Sequence, residues 1–205
     1  MTTKQDLINN WKNSKLIKDE KLLRAFQEIK RENFVLPEYK NNAYEDIALP
    51  IGHESTISQP STIMIMLQAL ELKEDDKVLE IGAGSGYTAA LISKIVTRGK
   101  IYSLDIIPEI IEFAKNNLEN EKIKTIQLFC RDGKKGLKEF SPYNKILVNA
   151  ACKETPKNLI KQLKVNGIMV APIGHEYKQK MMKFTKEKDG LKEEYLGDFV
   201  FVKLK

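Results

Sequence analysis

The sequence predicts an α/β domain built on a doubly wound, mostly parallel sheet, preceded by helices and closed by an antiparallel strand pair. Three observations carry that reading. From Lys77 onward, short apolar runs alternate with helical segments of about ten residues, the pattern of parallel strands joined by right-handed crossovers. The first strand-to-helix junction is rich in glycine, Gly82-Ala83-Gly84-Ser85-Gly86. Near the end of the chain, Lys188-Asp189-Gly190 separates two strand-like runs, and Asp-Gly between strands signals a hairpin.

Taken in order, the first 31 residues read as helical. Leu7, Ile8 and Trp11 share one face, and Leu22, Leu23, Phe26 and Ile29 recur at helical spacing, with Asp19 as the expected cap of the second helix. Asn33 to Ser58 shows no sustained period; Pro37, Pro50, Gly52 and Asn41-Asn42 predict an ordered loop or short ribbon. A helix is expected from Gln59, with Ser58 as its N-cap and Pro60 in its first turn. Strands follow at Lys77–Gly82, Lys100–Asp105, Lys124–Cys130, Asn144–Asn149 and Gly167–Ile173, with helices at Tyr87–Val96, Pro108–Leu118 and Thr155–Leu163. The closing pair is expected at Gln179–Lys186 and Tyr195–Leu204. PIGHE occurs at Pro50–Glu54 and Pro172–Glu176, but its flanks differ, so both copies read as coincidental loop starts. The expected organisation is a single domain over 1–205, with helices and a substrate lip in 1–58 and a cofactor-binding core in 59–205.

At 42% hydrophobic and 30% charged residues, the composition is that of a globular chain rather than a disordered one. No apolar run reaches the roughly 18 residues needed to span a membrane, and the opening MTTKQDLINNWKNSK lacks the apolar core of a signal peptide. The expected location is cytoplasmic. Cys130 and Cys152 read as small buried hydrophobes at strand ends, and no Cys/His spacing suits a metal. The net charge of +6 admits a nucleic-acid partner, but the lysines stand singly, without a basic block or interleaved aromatics.

The chemistry is concentrated in VLEIGAGSGY, Val78 to Tyr87. Glycines let the backbone turn tightly and bring a ligand to the following helix N-terminus. The spacing is shorter than in the dinucleotide fingerprint, and Glu80 precedes the first glycine. A carboxylate there repels a pyrophosphate and favours a cationic ligand, which points to S-adenosylmethionine. Asp105 follows Gly82 at roughly the 20-residue offset of a ribose-binding acid. Asp132, in the loop after the third strand, is placed to read an adenine amino group.

The chain also resembles the protein-L-isoaspartate (D-aspartate) O-methyltransferases. The likeness runs through RENFVLPEY, AYEDIALPIG, TISQPSTIMIMLQALEL, VLEIGAGSGYTAALISKIV, RDGKKGL, PYNKILVNAACKETPKNLIKQLKVNGIMVAPIG and LGDFVFVKL. The glycine loop is common to class I (Rossmann-like) methyltransferases, whereas AYEDIALPIG with TIS-x-P is particular to this family. The resemblance implies methyl transfer from S-adenosyl-L-methionine to the free α-carboxylate of L-isoaspartyl residues in damaged proteins and peptides. S-adenosyl-L-homocysteine is left, and the ester closes to a succinimide. It places Thr56, Ile57 and Ser58 on the substrate and cofactor lip, with Ser58 as the active-site serine. Glu80, Gly82, Ala83, Gly84 and Gly86 fall in the cofactor loop, Asp105 and Ile106 at the ribose, and Arg131, Asp132 and Gly133 in the adenine loop. Arg131 and Lys134 stand where the family more often has Gly and Trp, Asp105 where Glu is usual, and Ser55 and His53 where Gln and an aromatic are common.

A carboxylate nucleophile is already ionised at neutral pH, so no general base is required. His53 and His175, the only histidines, read as loop residues. Extended substrate contacts are expected from Asn41–Gln59, Asn149–Lys153 and Gly174–Tyr177. Two other functions fit the same fold: a nucleic-acid methyltransferase and a non-catalytic cofactor-binding module. Asn149-Ala150-Ala151-Cys152 lacks the proline and aromatic of an amino-methylating motif, which counts against the first.

Overall fold

The computed structural model describes residues 2–175 and 178–204. Helix α1 (Lys4–Asn13) starts at a capping box between Thr3 and Asp6 and buries Leu7, Ile8 and Trp11. Asp19 caps α2 (Glu20–Glu28), accepting from the backbone N–H groups of Lys21 and Leu22. Trp11 meets Phe26 edge-on at 4.7 Å, which locks the two helices together. Two 3₁₀ turns, Arg31–Asn33 and Pro37–Asn42, lead into a two-stranded ribbon, β1 (Leu49–Gly52) and β2 (Ser55–Ile57). His53 and Glu54 at its tip both have positive φ, 52° and 58°, as the tightest hairpin connection requires.

Helix α3 is Pro60–Leu70, and its N-cap is Gln59 rather than Ser58. Proline at the first helical position fixes that boundary, because its missing N–H is one the helix would leave unpaired anyway. Neither the Ser58 nor the Gln59 side chain caps the helix. Asp46 does so from the preceding loop, accepting from the Ser61 N–H at 2.8 Å.

The main sheet is β3 (Lys77–Ile81), β4 (Lys100–Asp105), β5 (Ile126–Cys130), β6 (Tyr143–Val148), β7 (Leu163–His175), β8 (Lys178–Lys186) and β9 (Leu191–Phe199). Its order is β5-β4-β3-β6-β7-β8-β9, parallel from β5 to β7 and antiparallel at β7-β8-β9. Helices α4 (Tyr87–Ile95), α5 (Pro108–Asn120) and α6 (Lys157–Gln162) make the crossovers. Both faces are covered. Val78 packs into a cluster with α1 to α4, while Leu79 and Ile81 face a second one with Tyr143 and Met169. No helix among the described residues is long and apolar enough to cross a membrane.

Four expectations need correction. β7 begins at Leu163, not Gly167, because a register shift against β6 absorbs the extra residues before Lys145 pairs with Ile168. β9 begins at Leu191, where the ladder zips from the Lys186–Leu191 pair beside the Asp-Gly turn, and it ends at Phe199. Residues 200–204 leave the ladder and cross the end of β6: the Ala151 N–H donates to the Val202 carbonyl at 2.8 Å, and the Leu204 N–H to the Ala151 carbonyl at 3.0 Å. Cys130 is exposed because it ends the edge strand β5, while Cys152 is buried as expected. The two PIGHE copies are not equivalent: the first turns at Gly52 and the second stays extended in β7 through His175, with Glu176 outside the described residues.

Candidate active site

At β3 the chain order reverses, with β4 on one side and β6 on the other, which opens a crevice at the strand ends. A cleft of about 420 Å³ occupies that position, lined by the glycine loop, the lip Thr56-Ile57-Ser58, Asp105, Ile106, Gly133, Asn149 and the strap Val202 to Leu204. Its size is that of a small-molecule site.

Gly82, Gly84 and Gly86 all have positive φ, between 53° and 85°. Gly86 serves a different purpose from the other two. It is the N-cap of α4, and a Cβ there would press on Leu118 Cγ at 3.2 Å and the Ala114 carbonyl at 3.3 Å, so it lets α5 pack against the turn. Gly82, Ala83 and Gly84 line the cleft and Gly86 does not. Asp105 ends β4 at the cleft wall. Its carboxylate accepts from the Gly84 N–H at 3.3 Å and the Ile107 N–H at 3.2 Å, tying the glycine loop to the end of β4. Beside it Ile106, 42% exposed, offers an apolar surface.

Glu80 does not meet the cleft. It is fully buried beneath the loop, where the Ser103 hydroxyl donates to Oε2 at 2.5 Å and Asn149 Nδ2 donates to Oε1 at 2.9 Å. Burial pushes its carboxyl up to about 8. The position is dictated by the ladder: Glu80 pairs with Ser103 inside the sheet rather than at its end. The negative charge expected at the ligand is therefore missing from the cleft wall, because a carboxyl raised to about 8 is mostly neutral at pH 7. Asn149, at the end of β6, also donates to the Gly82 carbonyl at 3.0 Å and lines the cleft itself. Its signal in the sequence was a polar side chain directly after an apolar strand.

Arg131 and Asp132 also lie away from the cleft wall. Arg131 is exposed, pairs with Glu139 and lies over the Phe129 ring. Asp132 caps its own turn by accepting from the Lys134 N–H at 2.9 Å. Gly133 alone of this loop reaches the cleft, and a Cβ there would sit 2.4 Å from Ile81 Cγ2.

On the opposite wall, Thr56 and Ser58 are half-buried, Ile57 is buried, and neither hydroxyl makes a hydrogen bond among the described residues. Both are free to donate into the cleft. The positive end of α3 is not: Asp46 occupies it, its Oδ2 accepting from the Ser61 hydroxyl at 2.6 Å, while Trp11 Nε1 donates to the same hydroxyl at 2.7 Å. Of the expected site residues, Thr56, Ile57, Ser58, Gly82, Ala83, Gly84, Asp105, Ile106 and Gly133 come together in one cleft. His53 and His175 are exposed, at the ribbon tip and the end of β7. Tyr177 lies outside the described residues.

Comparison with known proteins places this geometry. Residues 2–205 match the family model described as protein-L-isoaspartate(D-aspartate) O-methyltransferase. A protein-L-isoaspartate O-methyltransferase of Fervidobacterium nodosum is 44% identical, over 89% of this chain and 92% of its own. Another, of Pyrococcus horikoshii, is 40% identical over all of this chain and 96% of its own. A solved protein-L-isoaspartate O-methyltransferase superposes with a TM-score of 0.88 at 33% identity, over 98% of this chain and 65% of that one. A Plasmodium falciparum structure, described as a complex with S-adenosyl-L-homocysteine, has the same fold, with a TM-score of 0.88 at 24% identity, over 100% of this chain and 99% of that one. The chain belongs to the protein-L-isoaspartate(D-aspartate) O-methyltransferase family.

Proposed function

We propose that the cleft holds S-adenosyl-L-methionine and that the protein methylates the free α-carboxylate of L-isoaspartyl residues in damaged proteins and peptides. The observation that carries the reading is the pairing of two unlike walls. One wall is a glycine loop tied to Asp105; the other is a lip with two unpartnered hydroxyls, Thr56 and Ser58. The donor set suits the cofactor: Asp105 presents a carboxylate to hydroxyl groups, Ile106 an apolar surface to a flat base, and the glycine loop bare backbone.

When bound, S-adenosylmethionine supplies an electrophilic methyl group on a positively charged sulfur. The remaining work falls to this chain. Asp105 and the loop fix the depth and orientation of the ligand. Ser58 donates its hydroxyl to the carboxylate of the substrate and aims one oxygen at the methyl carbon. No side chain needs to take a proton, because the substrate carboxylate is ionised well below neutral pH. Charge disperses as the methyl group moves, so the buried Ile57 and the strap favour transfer by keeping water out. Alignment of nucleophile and electrophile supplies the larger share of the acceleration. The methyl ester then closes to a succinimide by attack of the following backbone nitrogen, releasing methanol.

Labelled methyl transfer tests the reading, with an isoaspartyl peptide, its normal aspartyl twin and transfer RNA as acceptors. Base-labile label on the isoaspartyl peptide alone is expected. Label on RNA would overturn it, and cofactor binding without transfer would leave a binding module.

A further inference from the structure

Behind the strap lies a second, larger cavity of about 1020 Å³. Its walls come from places far apart in the sequence: the turn after β5, the segment Ala151 to Asn158 after β6, and the end of β7. Val202, Lys203 and Leu204 line this groove and the active-site cleft alike, so the strap is their common wall.

The charge of the groove is one-sided. Lys134, Lys153, Lys157 and Lys203 line it against a single described carboxylate, Glu154. All four lysines are exposed, and none has an ion pair among the described residues. The groove floor adds no negative charge, since burial pushes the Cys152 thiol up to about 11 and keeps it neutral. Lysines that stand singly in the sequence are thus gathered by the fold around one concavity. Like charges collected in a cleft repel one another and concentrate the field on whatever enters, so they favour an anionic occupant.

The shape and lining select the kind of anion. Nucleic acid bound without sequence preference needs exposed aromatic faces for its bases to stack on. Among the described residues Phe201 is the one Phe, Tyr or Trp here and is only 9% exposed, so the exposed ring of His175 is a single stacking face rather than a run of them. An extended polypeptide advances about 3.3 Å per residue, so a few residues carry it from the cleft past the strap into the groove. We propose that this groove receives acidic side chains flanking the isoaspartyl residue, so that the enzyme prefers damaged sites set among Asp and Glu. The proposal rests on the isoaspartyl reading of the cleft, and it names a feature of the substrate that the methyl-transfer site does not read.

The test uses the full chain and three isoaspartyl peptides of equal length whose flanks carry Glu, Gln or Lys. At 50 mM salt the Glu peptide is expected to have a KM about tenfold below that of the Lys peptide, shrinking to within about twofold at 0.5 M salt as screening shortens. In a Lys153→Glu/Lys157→Glu variant the KM ratio of Glu to Gln peptide should invert, while Lys153→Arg/Lys157→Arg should retain the wild-type ratio. A ratio unchanged by the charge reversal, or insensitive to salt, would overturn the proposal. A labelled Glu-rich peptide with normal aspartate, followed by fluorescence anisotropy, reads the groove without turnover. Salt-sensitive binding that the charge reversal abolishes supports the groove even where no peptide is methylated, an outcome that would sink only the cleft reading. Displacement of that peptide by polyuridylate, with tighter binding of the RNA, would assign the groove to nucleic acid and overturn the proposal.

Discussion

The glycine loop and Asp105 stand at the ends of β3 and β4, whose pairing is continuous from Lys77–Lys100 to Ile81–Leu104. The lip opposite, Thr56 to Ser58, ends a ribbon of two short strands that, among the described residues, joins no other sheet. A lone two-stranded ribbon is marginal in water, whereas a strand inside a seven-stranded sheet is held on both sides. The lip is held instead by side chains: Leu49, Ile51 and Ile57 pack into the core, and Asp46 and Trp11 fix the Ser61 hydroxyl just beyond it. One wall is therefore positioned inside a continuous sheet, the other by apolar side-chain packing and a few polar contacts. Damage to the first should cost stability and cofactor affinity together, and damage to the second should cost rate first.

The sharpest blow to the sheet wall is Gly133→Ala. The new methyl group would lie 2.4 Å from Ile81 Cγ2, and overpacking of this kind costs about 1–3 kcal/mol. Chemical denaturation should show a loss in that range, and calorimetry a fall in cofactor affinity. An unchanged midpoint would mean that Ile81 has room to move.

Glu80→Gln probes the same wall through pH. Burial holds the Glu80 carboxyl at about 8, above its ordinary 4.5. The folded state thus keeps a proton that the unfolded state has lost, so stability is full below about 4.5 and is drained as pH rises through about 8. The slope is at most about 1.4 kcal/mol per pH unit. Glutamine can accept from Asn149 and donate to the Ser103 hydroxyl, so this variant should flatten the melting profile between pH 5 and 8. The same fall in both proteins would show that Glu80 is not its source.

Asp46→Ala addresses the lip. Loss of the cap should cost about 1 kcal/mol and lower kcat several-fold, with cofactor affinity unchanged. Coupled loss of both would show that the two walls are not separately held.

The same contrast decides what the sequence could reveal. The sheet wall rests on local signals: Gly82 and Gly84 between strand and helix, and Asp105 at a strand end, were legible in the sequence as parts of one site, and they do line one cleft. Burial was not legible. Glu80 reads like a ligand-facing acid, but its pairing with Ser103 places it inside the ladder, and no local pattern distinguishes the two. Long-range partners were equally hidden. Asp46 caps a helix 15 residues on, so the hydroxyl-rich run before Pro60 looked like the cap. The tail read as strand to Leu204 because Phe199, Phe201 and Val202 continue its apolar character. The register shift beside Gly197 and the pull of Gln179, whose Oε1 accepts from the Phe201 N–H at 2.7 Å, bend it into the strap instead.

The separation of the two walls is tested most directly at Ser58, by measuring single-turnover methyl transfer and cofactor affinity on one preparation of Ser58→Ala. The account predicts transfer slowed at least about tenfold, the loss of roughly 1.4 kcal/mol of transition-state stabilisation, with affinity within a few-fold of wild type. Full-rate transfer would reduce Ser58 to a filler of the lip, and a parallel collapse of affinity would merge the two walls into one.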